Sequence, residues 1–118
     1  MGINNVGPNA SRLSIAMQHR QMTDEHTTEF CEWFLKQANL LTKRGIDLHI
    51  DTIDLSNNTI GDTGLAKIAN IIQEISPRSF RVLKLHHNNI ADVTPLLDII
   101  ASGQLAELHL SHNNLNPT

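Results

Sequence analysis

The sequence predicts an α/β fold in the form of a solenoid, with a parallel β-sheet on its concave face and helices on its convex face. An 11-residue pattern of apolar residues occurs three times in the 118 residues, and the three copies align with one another without a gap. After the first copy, the spacing of apolar residues changes from the period of a strand to the helical period of about 3.6 residues. One strand and one helix cannot bury their apolar faces alone, so these units are expected to stack and share one core.

The three copies superimpose as L-x-x-L-x-L-x-x-N-x-L, with apolar residues at the L positions. They are IDTIDLSNNTI (residues 50–60), FRVLKLHHNNI (80–90) and LAELHLSHNNL (105–115). Because side chains alternate across a strand, the paired apolar residues point into the core and the residues between them point outward. An asparagine follows each strand, where its amide can donate and accept hydrogen bonds and so satisfy the backbone of neighbouring turns. These structural asparagines are Asn58, Asn88 and Asn113.

The pattern resembles that of the leucine-rich repeat family, whose units run about 20 to 29 residues. The segment NNTIGDTGLAKIANII also resembles the ribonuclease-inhibitor-like subclass, in which an asparagine turn leads through a G-D-x-G segment into a helix. The later segment NNIADVTPLLDII keeps Asp92 but lacks both glycines. The resemblance implies a leucine-rich repeat solenoid of about four units, the first of them degenerate, that binds other molecules.

Helices are predicted between the strands. Residues 61–64 are expected to form a turn that caps a helix running to about Ile75. A second helix is expected to begin at Thr94 as its N-cap and to end before Gly103. Its predicted buried face consists of Leu96, Leu97, Ile99 and Ile100.

The N-terminal third contains a degenerate copy of the repeat. A shift of 38 residues aligns residues 12–22 with the first strand and turn, although Arg20 replaces the asparagine. We predict a strand and turn over residues 12–22 and a helix over 23–44 that is stopped by Gly45. Terminal repeats are atypical because they shield the stack from solvent. An unrelated amphipathic helix leaning on the first repeat is the alternative.

These units are expected to form a single domain. Residues 1–10, with two glycines, a proline and several asparagines, are expected to be a flexible tail before a repeat domain over residues 11–118. The domain divides into a capping unit at 11–46 and repeat units at 47–79, 80–104 and 105–118. The last strand is followed by no helix, so we expect an unpaired edge there. Either a partner or a second copy covers this edge, or the sequence is part of a longer solenoid.

Composition limits the classes of partner and compartment. A chain with 40% apolar residues can bury one small core, and its net charge of −3 supplies no general attraction to nucleic acid or anionic lipid. The single Cys31 excludes an internal disulfide and fits a reducing compartment, so a cytoplasmic protein is expected. No apolar run is long enough for a signal peptide or a membrane span, so no membrane association is expected.

Recognised motifs for catalysis are missing. The sequence lacks a G-x-S-x-G elbow, a phosphate loop, an HExxH pair and a CxxC pair. Cys31 lies in the apolar helical segment TTEFCEWFLKQA, where a packed thiol is expected rather than a nucleophile. We therefore expect no catalytic residue, no cofactor, no metal and no enzymatic activity.

The outward-pointing strand residues are the candidate site for a protein partner, because solenoids present such concave faces for recognition. They are Ser14, Ala16 and Gln18, then Thr52, Asp54 and Ser56, then Val82, Lys84 and His86, and then Glu107, His109 and Ser111. Within this face we predict an ion pair between Asp54 and Lys84. The predicted partner-binding residues are Asp54, Ser56, Lys84, His86, Glu107, His109 and Ser111.

Two histidines add a further expectation. His87 and His112 should lie side by side in neighbouring strands, about 5 Å apart. Two imidazoles with Glu107 or a water could bind Zn²⁺. A pH-dependent interface is the interpretation that we prefer, because imidazoles titrate near physiological pH.

RNA binding is the alternative function. The repeat run with helical connections also resembles the leucine-rich repeat domain of nuclear mRNA export factors, which assists RNA binding beside an RNA-recognition domain. Arg78, Arg81 and Lys84 would form a small basic edge, and the other basic residues are scattered. The resemblance therefore leaves an RNA-associated adaptor as the competing hypothesis.

Overall fold

Four strands alternate with helices in the computed structural model, which describes residues 10–75, 80–103 and 105–115. The elements are β1 (Ala10–Ala16), α1 (Asp24–Lys43), β2 (Asp47–Asp54), α2 (Asp62–Ile75), β3 (Val82–Lys84), a 3₁₀ turn (Thr94–Leu96) that continues into α3 (Leu97–Ala101), and β4 (Glu107–His109). The strands form one parallel sheet in the order β1-β2-β3-β4. The predicted α/β solenoid is confirmed.

Equivalent positions of successive repeats lie side by side in the sheet. Ile53 pairs with Leu83, and Leu83 pairs with Leu108. On the N-terminal side, Ile15 pairs with Ile53, which matches the 38-residue shift seen in the sequence. β1 therefore pairs with β2 in the register that the 38-residue shift predicts.

β1 is longer and less regular than the prediction for this unit. It begins at Ala10, the residue at which the expected tail ends, and the register shifts between Leu13 and Ser14. Residues 1–9 of the expected tail lie outside the described residues.

The core lies between the sheet and the helices, and its residues become less buried towards β4. Ile53 and Leu55 are each 1% exposed, and Leu83 and Leu85 are fully buried. The equivalent leucines of β4 and its turn are only partly buried, since no following unit covers them within the described residues. Among the described residues, the core is therefore less well covered at β4 than at β2 and β3.

α1 begins and ends close to the predicted positions. Thr23 is its N-cap, and the threonine hydroxyl accepts a hydrogen bond from the backbone N–H of His26 at 3.2 Å. Gly45 follows the helix with a φ of +80°, a conformation that glycine adopts without steric cost. None of the described helices combines the length and apolar character needed to cross a bilayer.

Two helix predictions were wrong in detail. α2 begins at Asp62, so most of the residues expected to form a separate turn make its first helical turn. In the following unit, Thr94 belongs to a 3₁₀ turn rather than capping an α-helix, and the N-cap is Val93. Leu97 and Ile100 are 53% and 46% exposed, because residues three apart share one side of this short segment and the buried side is occupied by Leu96 and Ile99.

Candidate functional site

An asparagine after each of β2, β3 and β4 links its own turn to the preceding unit. The side-chain N–H₂ of Asn88 donates to the carbonyls of Leu55 at 3.0 Å and Leu85 at 3.1 Å, and its Oδ1 accepts from the N–H of Ile60 at 2.9 Å. Asn58 makes the equivalent bonds: its N–H₂ donates to the carbonyls of Met17 and Leu55, and its Oδ1 accepts from the N–H of Met22. Asn113 donates in the same way to the carbonyls of Leu85 and Leu110 and accepts from the N–H of Ile90. We call this set the asparagine ladder; it holds the turns of the solenoid in register.

The residue before each asparagine position has a left-handed backbone. The φ angles lie between 55° and 58° at His19, Asn57, His87 and His112. This conformation is uncommon for residues other than glycine and is best tolerated by residues such as asparagine and histidine. All units thus share this left-handed residue; in the first, where Arg20 stands in place of the asparagine, Gln21 is left-handed as well, with a φ of 56°.

Aspartates form a second link between units, which the sequence analysis did not anticipate. Oδ1 of Asp24 accepts from the backbone N–H of Gly61 at 2.7 Å and of Gly64 at 2.8 Å. Asp62 lies 38 residues later, and its Oδ1 likewise accepts from two backbone N–H groups, those of residues 91 and 92, at 2.8 and 3.0 Å. The recurrence of aspartate at the start of successive helices was the available signal. Each aspartate anchors the loop of the next unit.

The outward-pointing strand residues form rows across the sheet. Asp54, Lys84 and His109 occupy one such row, because they are paired positions of β2, β3 and β4. The predicted ion pair between Asp54 and Lys84 is not formed among the described side chains. Oδ1 of Asp54 instead accepts from the N–H of Ser56 at 3.1 Å and from its hydroxyl at 2.7 Å.

Burial removes one predicted residue from this face. Ser56 is only 3% exposed, and its hydroxyl is bonded to Asp54. Backbone hydrogen bonds place its strand position between those of Gln18 and His86, whose side chains are longer. The expectation that Ser56 contacts a partner is therefore corrected. Of the other predicted residues, Glu107 and Ser111 are exposed, and the half-buried ones are Asp54, Lys84, His86 and His109.

Four histidines form a continuous cluster beside β3 and β4. The ring centroid of His86 lies 5.8 Å from that of His87 and 5.8 Å from that of His109. The rings of His87 and His112 stack at 4.1 Å with planes 10° apart, in agreement with their predicted adjacency. Glu107 contacts Nε2 of His109 at 3.1 Å. No group of three or more side chains suited to a metal ion is found in the described part of the chain.

His86 has the most perturbed electrostatic surroundings of this cluster. Burial lowers the pKa of His86; the Asp54 carboxylate opposes this shift, and the neighbouring His109, His87 and Lys84 add to it. Nδ1 of His86 and Oε1 of Gln18, which lie in the same row, are buried and have no hydrogen-bond partner among the described residues.

Cys31 is not a reactive thiol in this fold. It is buried on α1, and this burial raises the pKa of the thiol to about 12, with Lys67 opposing the shift and Glu32 adding to it. A neutral, buried thiol is a poor nucleophile. Cys31 therefore serves the packing between α1 and α2.

The predicted basic edge is partly neutralised. Nε of Arg81 lies 2.9 Å from Oδ1 of Asp51, in an ion pair that the sequence analysis did not predict. Lys84 is half-buried, and Arg78 lies outside the described residues. Of the three predicted basic residues, Arg81 is therefore the only described one that is exposed, and it is paired with Asp51.

Comparison with known proteins supports the repeat assignment. Residues 48–69, which run from β2 to the middle of α2, match a family model described as Leucine Rich repeat. The comparison with curated proteins found no match, and neither did the comparison with solved structures. The parallel sheet with its alternating helices is consistent with a short leucine-rich repeat solenoid, and the matched segment supports that assignment for the unit of β2 and α2.

Proposed function

We propose that this chain is a non-catalytic protein-interaction module or adaptor that binds a protein partner through its concave strand face. The observation that carries the proposal is a row arrangement of polar side chains on a sheet whose turns are fixed by the asparagine ladder. We call these polar side chains the recognition surface; they are Asp54, Lys84, His86, Glu107, His109 and Ser111.

The chemistry of the recognition surface favours a polar partner segment of mixed charge. Asp54 and Glu107 carry negative charge and Lys84 carries positive charge, so orientation would be set by charge complementarity.

The proposal has three further parts. A cytoplasmic location is supported by a single cysteine that lies buried in a helix. Membership of the ribonuclease-inhibitor-like subclass is supported by the G-D-x-G segment at the start of α2. A second contact region, the open edge of β4, would take a partner strand or a second copy.

Affinity capture from an extract of the source cells, followed by mass spectrometry, tests the use of the recognition surface. The wild-type chain is compared with a Lys84→Glu, His86→Ala variant. The matched control is Lys36→Glu, Asn39→Ala, which changes the same charge at exposed positions of α1. Circular dichroism first establishes that all three chains are folded.

The expected result is a protein that binds the wild-type and control chains and is lost with the Lys84→Glu, His86→Ala variant. Equal binding to all three chains would overturn the concave-face proposal. RNA that is still recovered with a chain that has lost its protein partners, and whose recovery falls as the salt concentration is raised, would favour the RNA-associated adaptor instead.

A further inference from the structure

Ser56 lies at the covered centre of a row of outward-pointing side chains. The sheet register and the backbone hydrogen bonds that continue it place Gln18, Ser56, His86 and Ser111 side by side. The side chains of Gln18 and His86, on either side of Ser56, are half-buried and are longer than that of serine. Ser56 itself is only 3% exposed. We call these four residues the serine row; His86 is one of the two side chains that flank its covered centre.

A buried nitrogen limits where the ring of His86 can carry a second proton. Nδ1 of His86 is buried and has no hydrogen-bond partner among the described residues. In the neutral imidazole only one ring nitrogen bears a proton, whereas in the imidazolium both nitrogens are N–H donors. Protonation in the present position would therefore leave a buried N–H of a charged ring unpaired. That arrangement is unfavourable, because a buried charge needs a hydrogen-bond partner.

The groups around His86 also disfavour a charged ring in this position. Burial is the largest cause that lowers the pKa of His86. Three neighbours act in the same direction: His109 on β4, His87 in the turn after β3, and Lys84 on β3. The Asp54 carboxylate on β2 opposes the shift, but it already accepts two hydrogen bonds from its own segment. A ring that is turned towards solvent escapes the cost of burial, so protonation favours an outward position.

We propose that His86 is a proton-operated cover of Ser56: the neutral ring covers the serine, and the protonated ring turns outward and exposes it. The inference rests on the proposed function, since His86 belongs to the recognition surface, and it adds a regulation of that surface by pH. In the acidic form, the surface presents an imidazolium beside an exposed hydroxyl. These donors suit a carboxylate, so an acidic segment of a protein partner is expected to bind more tightly as the pH falls.

The movement is confined to one side chain. The next residue of the serine row is Ser111, whose side chain is short and exposed, so the β4 side offers space to the ring. The backbone carbonyl of His86 accepts from the N–H of Asn57 at 3.0 Å. Rotation about the Cα–Cβ bond turns the ring without breaking this bond. The sheet and the asparagine ladder therefore stay intact in both forms.

An NMR titration of the purified chain tests the cover directly. Between about pH 8 and about pH 5, the ring proton signals of His86 should titrate with a midpoint below the ordinary 6.5. Access to Ser56 is measured across this range as the broadening of its side-chain signals by a neutral, soluble nitroxide. The broadening is expected to rise several-fold on acidification, with the same midpoint as His86. Circular dichroism establishes that the chain is folded throughout.

Two substitutions hold the cover in one state. His86→Phe keeps a ring that cannot be protonated, so Ser56 should stay covered at both ends of the pH range. His86→Ala removes the ring, so Ser56 should be exposed at both. His19→Asn is the matched control, because it removes an exposed histidine from the turn of the first unit, and asparagine tolerates the left-handed backbone there. This control should leave the response of Ser56 unchanged.

The proposal is overturned if His86 titrates without a change at Ser56, or if the response of Ser56 persists in His86→Phe. A ring that stays neutral at about pH 5 would overturn it as well. Because these measurements use the purified chain alone, their failure would leave the capture experiment on the recognition surface unaffected. A failed capture would likewise leave the titration of His86 and Ser56 unchanged.

Discussion

Asn88 shows how much of this fold depends on one amide. Its side chain is buried and bonds to four backbone groups in two successive units. Asn88→Ala would leave those groups buried and unpaired, so we expect the free energy of unfolding to fall by about 2 to 4 kcal/mol. Urea unfolding followed by circular dichroism measures the change.

The adjacent Asn89 provides the control for this prediction. Its side chain is exposed, and only its backbone N–H bonds to the preceding unit, to the carbonyl of Ile60. Asn89→Ala should therefore change the stability by less than about 0.5 kcal/mol. Equal losses for Asn88→Ala and Asn89→Ala would contradict the structural role of the asparagine ladder.

His86 gives the fold a predicted dependence on pH. Burial holds the pKa of His86 below its ordinary value of 6.5, so the unfolded chain binds this proton more readily than the folded chain. The contribution of His86 to stability is therefore full above the unfolded pKa and is lost as the pH falls from there through the folded pKa. Urea midpoints measured from about pH 8 to about pH 5 should fall more steeply for the wild type than for His86→Asn. The same slope for both chains would show that His86 does not carry this linkage.

At the scale of elements, intrinsic helix propensity and side-chain packing favour different residues at the start of α2. Gly64 lies in a helix, where alanine is ordinarily favoured by about 1 kcal/mol. A Cβ at this position would lie 2.6 Å from Oδ1 of Asp24 and 2.8 Å from Cγ2 of Ile60. Because Asp24 is held by two backbone N–H groups, we expect the clash to prevail and Gly64→Ala to destabilise the chain by about 1 to 3 kcal/mol.

Thr63 is the matched position for this comparison. It precedes Gly64 in the same helical turn and its side chain is exposed. Thr63→Ala should leave the stability unchanged or raise it slightly, in line with intrinsic propensity. Thermal unfolding of the two variants separates the effects, and a rise in melting temperature for Gly64→Ala would show that Asp24 yields easily.

The elements that the sequence predicted well are those specified by local pattern. The alternation of Ile53 and Leu55 with polar residues predicted a strand where β2 ends, and Thr23 and Gly45 marked the ends of α1. The errors arose where tertiary contacts decide. Alternation assigned Ser56 to the outward face, but the pattern carries no information on how deeply neighbouring side chains cover it.

The sequence predicted which residues of the candidate site lie side by side in the sheet, but not which hydrogen bonds their side chains make. The repeat register placed Asp54 beside Lys84, yet the carboxylate of Asp54 bonds to Ser56, two residues along its own chain. Short polar side chains often bond to groups close in sequence, and such local bonds compete with longer-range pairing. Sequence spacing therefore predicts which residues are neighbours, whereas the choice of hydrogen-bond partner needs coordinates.

For the whole molecule, the stacking of units predicts a gradient of local stability. In a solenoid, each unit contacts only its neighbours, so stability is close to a sum of unit and junction contributions. The units of β2 and β3 have neighbours on both sides, while β4 has one described neighbour and half-buried leucines. Opening is therefore expected to begin at β4 and α3.

Native-state hydrogen exchange measures this gradient directly. At low protein concentration, backbone N–H groups of residues 105–115 should exchange fastest and those of Leu55 and Leu85, which bond to the next strand, should exchange slowest. Uniform exchange across all four strands would instead indicate one cooperative unit, in which the junctions are stronger than the differences between repeats.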